Sequence, residues 1–269
     1  NLNVSFVSES VEINLESGLG LEATARQVRY DAFHKYVEEG DWLLSAHHEN
    51  DQAETLFLNL MRGSGFAGIA GIGALQNFAY GMLVRPLLDI SGSAIEAYAE
   101  QNKLRWIDDP FNFDMRFDRN FLRQEIIPTL AERWPGISAC LRRSAKLASE
   151  ASEMLNDLAE LDLSAVSIGK KPDRLDLQGL KSLSEKRQRN VLRHATRKCG
   201  LPLPPATRLY QITHELIPAR KDGQPLVDWP GAEIRRYRDK LYLLATVVLE
   251  EKLIVAELMV DGSWLDLGA

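Results

Sequence analysis

Short apolar runs alternate with amphipathic helical segments through the first half of this 269-residue chain, and this alternation is its most constraining feature. Residues 42–46 form a run of buried-strand type, and residues 82–88 predict a second short strand. Helical patterns cover residues 21–37, 51–62 and 91–102, the last with Ile95, Tyr98 and Ala99 expected to face inward. Strands that alternate with helices in this way predict an α/β sheet.

The remaining patterns complete the predicted organisation. Residues 2–15 alternate loosely and predict a strand or extended structure, while residues 121–130 and 138–163 predict helices, the second long enough to link two domains. Residues 175–217 are predicted to be mostly helical, interrupted by Pro202, Pro204 and Pro205. Residues 234–249 predict a hairpin with its turn near Asp239 and Lys240.

The composition is that of an ordinary globular chain, with 45% apolar and 26% charged residues. No apolar run approaches the roughly 18 residues of a membrane span. The two cysteines, Cys140 and Cys199, are far apart and have no CxxC partner, which excludes a disulfide scaffold and a cysteine-based zinc site and predicts a cytoplasmic protein. The first residues lack signal-peptide features and an initiator methionine, so we expect the chain to be a fragment.

Charge is distributed unevenly. The chain has a net charge of −6, but residues 181–240 contain 14 basic and 6 acidic residues, a net +8, which leaves −14 for the rest. A basic module within an acidic chain favours a local phosphate-binding face. The alternative, that solvated helices carry these charges by chance, remains open from composition alone.

The segment 47–55, His-His-Glu-Asn-Asp-Gln-Ala-Glu-Thr, lies where a predicted strand leads into a helix. Ligands bind at this carboxyl edge in open α/β sheets. On the helix, His47, Asp51 and Glu54 lie at steps of four and three, so they share one face. Two carboxylates one turn apart repel each other unless a cation lies between them, either a metal ion or a substrate ammonium. The histidine could act as a base or as a phosphate donor. The alternative is a polar helix N-terminus capped by Asn50 or Asp51.

Two further segments carry possible ligand-binding patterns. Residues 63–68 match GxGxxG, but they follow a predicted helix rather than a strand, so we predict a mobile loop near the site instead of a dinucleotide site. Residues 106–112 and 118–123 bring Arg119 and Arg123 four positions apart at a helix start, where guanidinium groups suit phosphate or carboxylate. A turn and helix cap with solvated arginines is the alternative.

In combination these segments resemble the tRNA(Ile)-lysidine synthetase family. The resemblance rests on residues 20–30, 47–55, 62–65, 85–88, 106–109 and 119–123, which occur in family order, and more weakly on residues 234–237. It implies an α/β fold: a Rossmann-like ATP-pyrophosphatase (PP-loop) parallel-sheet domain at residues 1–137. A linker helix at 138–163 would lead to a smaller, mostly helical tRNA-binding domain at 164–249, and residues 250–269 would lead into a further domain. The family's phosphate loop, Ser-Gly-Gly-x-Asp-Ser, does not occur in the sequence, so we expect the PP-loop domain to be incomplete at its N-terminus.

The resemblance also implies a reaction and its residues. The family uses ATP and Mg²⁺ to ligate L-lysine to C2 of the wobble cytidine of tRNA(Ile) with a CAU anticodon, which changes the codon read from AUG to AUA. The implied catalytic residues are His47, Asp51, Glu54 and Arg119, with Asp51 a candidate Mg²⁺ ligand. The implied substrate-binding residues are Arg26, Arg29, His48, Gln52, Arg62, Asn120 and Arg123. The implied tRNA-binding residues are Arg187, Arg189, Arg193, Arg197, Lys198, Arg235 and Arg236.

Two other functions compete with this one. A tRNA thiolase of the same superfamily would need cysteines for sulfur transfer or an iron–sulfur cluster, and Cys140 and Cys199 lie outside every motif. A non-catalytic tRNA-binding protein that has lost its phosphate loop is the second alternative.

Overall fold

The computed structural model of the chain describes residues 4–13, 21–220, 225–246, 258–260 and 263–265. The backbone divides into two compact units, Asn1–Ser152 and Glu153–Ala269. The long helix that contains the boundary runs from Ile137 to Val166, which confirms the helix predicted at 138–163. Within the described ranges, no helix is long and apolar enough to cross a membrane.

The first unit combines helices with a three-stranded sheet, so the predicted α/β architecture is confirmed. Its helices are α1 Leu21–His34, α2 Glu49–Met61, α3 Phe66–Ile69, α4 Gly92–Gln101, α5 Asp118–Phe121, α6 Ile127–Arg133 and the first part of α7 Ile137–Val166. Its strands are β1 Trp42–Leu44, β2 Leu75–Phe78 and β3 Gly81–Val84. A 3-10 turn covers Pro110–Phe113, and a π-helical turn, Leu122–Ile126, joins α5 to α6.

The sheet of the first unit is mixed rather than wholly parallel. Its strand order is β1-β3-β2, in which β1 and β3 are parallel and β2 and β3 form an antiparallel hairpin. The sequence analysis missed β2, because Leu75-Gln76-Asn77-Phe78 places two polar residues between two apolar ones and has no period-two pattern. An edge strand tolerates this composition because it needs little burial.

Several expected burials are wrong. Trp42 and Leu44 are 69% and 64% exposed, because successive side chains of a strand point to opposite faces and these two lie opposite to the half-buried Leu43. Tyr98 is 63% exposed, whereas Ile95 and Ala99 on the same helix are half-buried as predicted. Of the strand or extended structure predicted at 2–15, residues 4–13 form no strand, and their side chains are exposed; residues 2, 3, 14 and 15 lie outside the described residues.

The second unit packs helices on a four-stranded antiparallel sheet of order β4-β7-β6-β5, so it is less helical than expected. Its elements after α7 are β4 Arg174–Asp176, α8 Leu177–Ser182, α9 Glu185–Lys198, α10 Ala206–Gln211, β5 Leu226–Trp229, β6 Ala232–Tyr237, β7 Lys240–Ala245, β8 Leu258–Val260 and β9 Ser263–Leu265. A π-helical turn at Ile212–Leu216 follows α10. The predicted hairpin is confirmed as β6 and β7, which pair from Ala232 opposite Ala245 to Tyr237 opposite Lys240.

The core of the second unit is continuous between its sheet and its helices. Leu175 and Ile234 from the sheet and Leu177, Leu192 and Ile212 from the helical segments are fully buried in one cluster. Burying a side chain of this size stabilises the fold by about 1.5–3 kcal/mol. This core fixes α9, α10 and the π-helical turn after α10.

Candidate functional site

Residues 45–48 connect β1 to α2, so both the end of the strand and the start of the helix lie two residues earlier than predicted. The backbone N–H of Ser45 donates to the carbonyl oxygen of Val84, which extends the parallel pairing by one residue. His48 is the N-cap of α2, and its backbone N–H donates to Asp51 Oδ2 at 2.9 Å in a capping box. His47 therefore precedes the helix and does not share its face with Asp51 and Glu54, which corrects the predicted arrangement.

The cation between the two carboxylates is the guanidinium of Arg123. Its Nε and Nη2 donate to the two oxygens of Glu54 at 2.7 and 3.0 Å, and Nη2 also donates to Asp51 Oδ1 at 3.3 Å. The Glu54 side chain is 0% exposed. Burial raises the pKa of Glu54, and the hydrogen bond from Arg123 opposes this effect; the same bond raises the pKa of Arg123. The charge repulsion that predicted a metal ion or a substrate ammonium is thus compensated within the protein.

Arg119 is oriented by the same helix. Its Nη2 donates to Thr55 Oγ1 at 3.1 Å, and its Nε lies 3.7 Å from Glu54 Oε2. The short helix α5 and the π-helical turn after it present Arg119 and Arg123 one turn apart against α2. As a result, Arg123 occupies the carboxylates and Arg119 extends beyond them.

A cavity of about 420 Å³ lies beside this cluster, between α1 and the end of β1. Arg26, Arg29, Arg119 and His47 supply its basic groups. The other lining residues are Ala25, Tyr30, Phe33, Leu43, Leu44, Ser45 and Leu83, so no carboxylate is among the described residues that line it. Three guanidinium groups around an apolar floor suit an anion such as a phosphate or a carboxylate.

His47 faces this cavity in a defined orientation. Its Nδ1 is hydrogen-bonded to Ser45 Oγ. Burial is the main cause that lowers the pKa of His47. The charge of Asp51 acts to raise this pKa, whereas the nearby guanidinium groups, including those of Arg26 and Arg119, lower it further. The ring is therefore neutral near pH 7 and can accept a proton.

Three of the predicted substrate-binding residues make structural hydrogen bonds. His48 caps α2. Asn120 is buried and donates to the carbonyl oxygens of Phe111 and Asp114 at 2.7 and 2.9 Å, which fixes the loop before α5. Gln52 is also buried, and its amide bonds backbone groups of the glycine-rich loop, residues 63–73.

The glycine-rich loop is held against α2 rather than left free. Gln52 Oε1 accepts from the N–H of Ile72 at 2.6 Å, and its Nε2 donates to the carbonyls of Ala70 and Ile72. Gly71 has a φ of +69°, and a Cβ there would lie 2.6 Å from Gln52 Oε1. The loop contains α3, and Arg62, at the end of α2 just before it, is exposed and does not line the cavity.

Several residues in and around the cavity had no role predicted from the sequence. Thr55 and Arg85 lie inside recognised segments but had no assigned role, although Arg85 is buried and donates to the Gly73 carbonyl at 2.6 Å. Tyr30 lies beneath the guanidinium of Arg26, 4.9 Å from its carbon to the ring centroid. The position of Ser45 at the carboxyl end of β1 was a usable signal, because ligands gather at that edge.

The predicted basic module is partly neutralised by local ion pairs. Arg187 pairs with Asp162, Arg189 with Glu185, Lys198 with Glu160 and Arg235 with Glu233. Arg197 donates to the side-chain oxygen of Asn156 at 3.3 Å. Arg193 is exposed and has no acidic partner among the side chains that the structure describes.

Arg236 does not belong to this surface, which corrects the prediction. It is 3% exposed, and its Nη1 donates to the carbonyl oxygens of Ile217 at 3.2 Å and of Ala219. The guanidinium therefore bonds the backbone carbonyls that follow the π-helical turn, and a phosphate cannot reach it.

We expect Arg236→Met to lower the free energy of unfolding by about 2 kcal/mol, because buried carbonyls lose a charged donor. Arg235→Gln, at the exposed neighbouring position, is the matched control and should leave unfolding nearly unchanged. Denaturant titration of both variants measures the difference. Equal stability of the two variants would contradict the structural role of Arg236.

Comparison with known families agrees with this architecture. Residues 1–130 match the family described as PP-loop domain, and residues 175–242 match the family described as TilS substrate binding domain. The mixed sheet with its basic cavity and the second unit therefore define a PP-loop protein with an attached substrate-binding domain.

The similar proteins narrow this class. The chain is 42% identical over 242 residues to a tRNA(Ile)-lysidine synthase of Coxiella burnetii, covering 90% of this chain and 53% of that protein. It is 39% identical over 251 residues to a tRNA(Ile)-lysidine synthase of Proteus mirabilis, covering 93% of this chain and 56% of that protein. The chain is therefore similar to tRNA(Ile)-lysidine synthases, and it spans about half the length of the curated relatives that it matches.

Proposed function

We propose that the protein carrying this chain is an ATP-dependent carbon–nitrogen ligase that converts the wobble cytidine of tRNA(Ile) with a CAU anticodon to lysidine. In the proposed reaction the C2 oxygen of the base attacks ATP and pyrophosphate leaves. The ε-amine of L-lysine then attacks C2, and AMP leaves. The observation that carries the proposal is the arginine-lined cavity at the carboxyl end of β1, in a chain whose two matched domains occur together.

The cavity supports a role in holding an anionic part of a substrate. Arg26, Arg29 and Arg119 surround it, and His47 is available in neutral form. Both a phosphate of ATP and the carboxylate of lysine fit this chemistry. We propose that Arg119 contacts that anion directly and that His47 accepts a proton there.

In this proposal Asp51 and Glu54 have a different role from the cation binding that was predicted from the sequence. Their oxygens are occupied by Arg123 and by the capping N–H of His48, and Glu54 has no exposed side-chain surface. We propose that these carboxylates act by positioning Arg119 and Arg123 rather than by binding the lysine ammonium.

The carboxylate of Asp51 is engaged by protein donors, because Oδ1 and Oδ2 each accept a hydrogen bond. Mg²⁺ usually keeps several waters and is bound by one or two carboxylates together with substrate phosphates. Among the described residues, no cluster of three or more His, Cys, Asp or Glu side chains could hold a metal. In our proposal the ion is associated with the phosphates of ATP.

We propose that the chain has four parts with different roles. Residues 1–137 form the catalytic PP-loop part, and residues 138–163 form the linker helix. Residues 164–249 form the tRNA-binding domain, and residues 250–269 lead into a further domain. Arg187, Arg189, Arg193, Arg197, Lys198 and Arg235 are the proposed tRNA contacts. A tRNA substrate and two free cysteines favour a cytoplasmic location. Neither cysteine lines the cavity, so nothing in the site supports a thiolase.

The test is tRNA-dependent incorporation of labelled lysine by the whole gene product. We expect label in a tRNA(Ile) transcript with a CAU anticodon, dependent on ATP and accompanied by AMP and pyrophosphate. The same transcript with a different wobble base is the control and should remain unlabelled. ATP-dependent transfer of sulfur in place of lysine, or tRNA binding without incorporation, would refute the proposal.

A further inference from the structure

An exposed pair of stacked aromatic rings lies on the second unit. The rings of Tyr210 and His214 have centroids 3.8 Å apart and planes inclined by 14°. Tyr210 is 55% exposed, although one face of its ring is covered by His214. The stack therefore ends at an aromatic surface that remains open to solvent.

The backbone holds this stack in place. Tyr210 belongs to α10, and His214 lies in the π-helical turn that follows it. His214 Nδ1 is within hydrogen-bonding distance of the Tyr210 carbonyl oxygen, at 3.1 Å, and of Thr213 Oγ1, at 3.0 Å. π-helical turns are rare and frequently occur at functional sites. Because the imidazole orientation is fixed beforehand, the platform loses little entropy when a ring stacks on it.

Positive charge continues from this stack along α9. Glu185 Oε1 accepts a hydrogen bond from Arg189 and lies 3.6 Å from His214 Nε2, so these three side chains meet at one oxygen. Arg193 follows one turn after Arg189. Arg189 is compensated by Glu185, whereas Arg193 has no acidic partner in the described residues.

We propose that Tyr210 and His214 form a stacking platform for one unpaired base of an RNA, and that Arg193 holds a phosphate next to that base. Exposed aromatic faces together with arginine side chains are the combination with which proteins bind single-stranded nucleic acid. Bases inside a duplex do not expose their faces, so the platform takes a nucleotide from a loop, a bulge or an end. Stacking tolerates every base, so the platform positions the RNA rather than reading its sequence. The inference rests on the proposed function only in taking RNA as the substrate.

Equilibrium binding of a tRNA(Ile) transcript to the whole gene product tests the platform. Tyr210→Ala should weaken binding about tenfold, and Tyr210→Phe should stay within about twofold, because the phenyl ring still stacks. Arg193→Gln should weaken binding and reduce the slope of log affinity against log salt by about one, whereas Tyr210→Ala should leave that slope unchanged.

The matched control is Tyr98→Ala, which removes an equally exposed tyrosine from the first unit. Melting curves identify any variant that fails to fold, and Tyr210→Phe then tests stacking by retaining affinity. Tyr210→Ala binding as tightly as Tyr98→Ala, or Tyr210→Phe binding as weakly as Tyr210→Ala, would overturn the platform. This outcome is separable from the ligase proposal. If Tyr210→Ala weakens tRNA binding but the unsubstituted protein forms no lysidine, the platform is supported and only the ligase proposal is refuted. If Tyr210→Ala binds tRNA normally and the unsubstituted protein forms lysidine, the platform is refuted and the ligase proposal is supported.

Discussion

Arg123→Met should lower the free energy of unfolding by about 3 kcal/mol, at the lower end of the range for breaking a buried ion pair. Glu54 would remain fully buried without its bidentate partner, and Asp51 would lose the same guanidinium. The lower end applies because the Arg123 side chain is 38% exposed, so solvent screens part of the interaction. Denaturant titration of the variant measures the change.

The loss should depend on pH. Burial raises the pKa of Glu54, and removing Arg123 takes away the hydrogen bond that opposes this. A carboxyl whose folded pKa lies above its unfolded value favours the folded state at low pH, and that contribution disappears as pH rises through the folded pKa. Arg123→Met should therefore be least destabilising in mildly acidic buffer. Arg116→Met is the control, because it removes an exposed arginine paired with Asp114; equal effects from both variants would refute the buried ion pair.

Arg119→Gln should reduce lysidine formation about a hundredfold or more, as expected when a preorganised cationic donor is removed from a reacting anion. The variant keeps a polar side chain and leaves Arg123 on Glu54, so the fold should persist. Single-turnover incorporation of labelled lysine measures the effect, with a melting curve for each protein.

Arg116→Gln provides the matched control for this second prediction. It makes the same change of charge in the same segment, but Arg116 is exposed and does not line the cavity. Activity of Arg119→Gln comparable to that of Arg116→Gln would exclude Arg119 from contact with the reacting groups.

The sequence predicted elements well where one periodicity dominated. Helices α2, α4 and α7 and the hairpin of β6 and β7 follow their patterns to within a few residues. Strand β2 was missed because an edge position does not require the alternating pattern. The exposure of Trp42 was mispredicted because apolar composition indicates a strand but not which of its faces is covered.

The candidate site was predicted as a set of residues but not as a set of interactions. The structure brings Asp51 and Glu54 of one predicted motif together with Arg119 and Arg123 of another. Spacing along one helix could show that two carboxylates needed a cation, but not that Arg123, 69 residues after Glu54, supplies it. Pairings between distant segments depend on tertiary packing, which local periodicity does not encode.

The basic module shows the same limit. Its net charge of +8 correctly located a concentration of arginines. Charge counting could not separate Arg236, which bonds backbone carbonyls, from Arg193, which is exposed. Charge counting also could not reveal the aromatic stack of Tyr210 and His214. Two aromatic residues four positions apart indicate a stack only when the conformation of the backbone between them is known.

The most direct test of the cavity as an anion site is a pH titration of the His47 ring by NMR, with and without inorganic pyrophosphate. Burial and the surrounding guanidinium groups lower the pKa of His47, so the free protein should titrate below the ordinary value of 6.5. A bound anion adds negative charge beside the ring, so pyrophosphate should raise the midpoint; His47→Gln assigns the resonance. A midpoint at or above 6.5 in the free protein, with no response to pyrophosphate, would contradict the assignment of the cavity as the anion site.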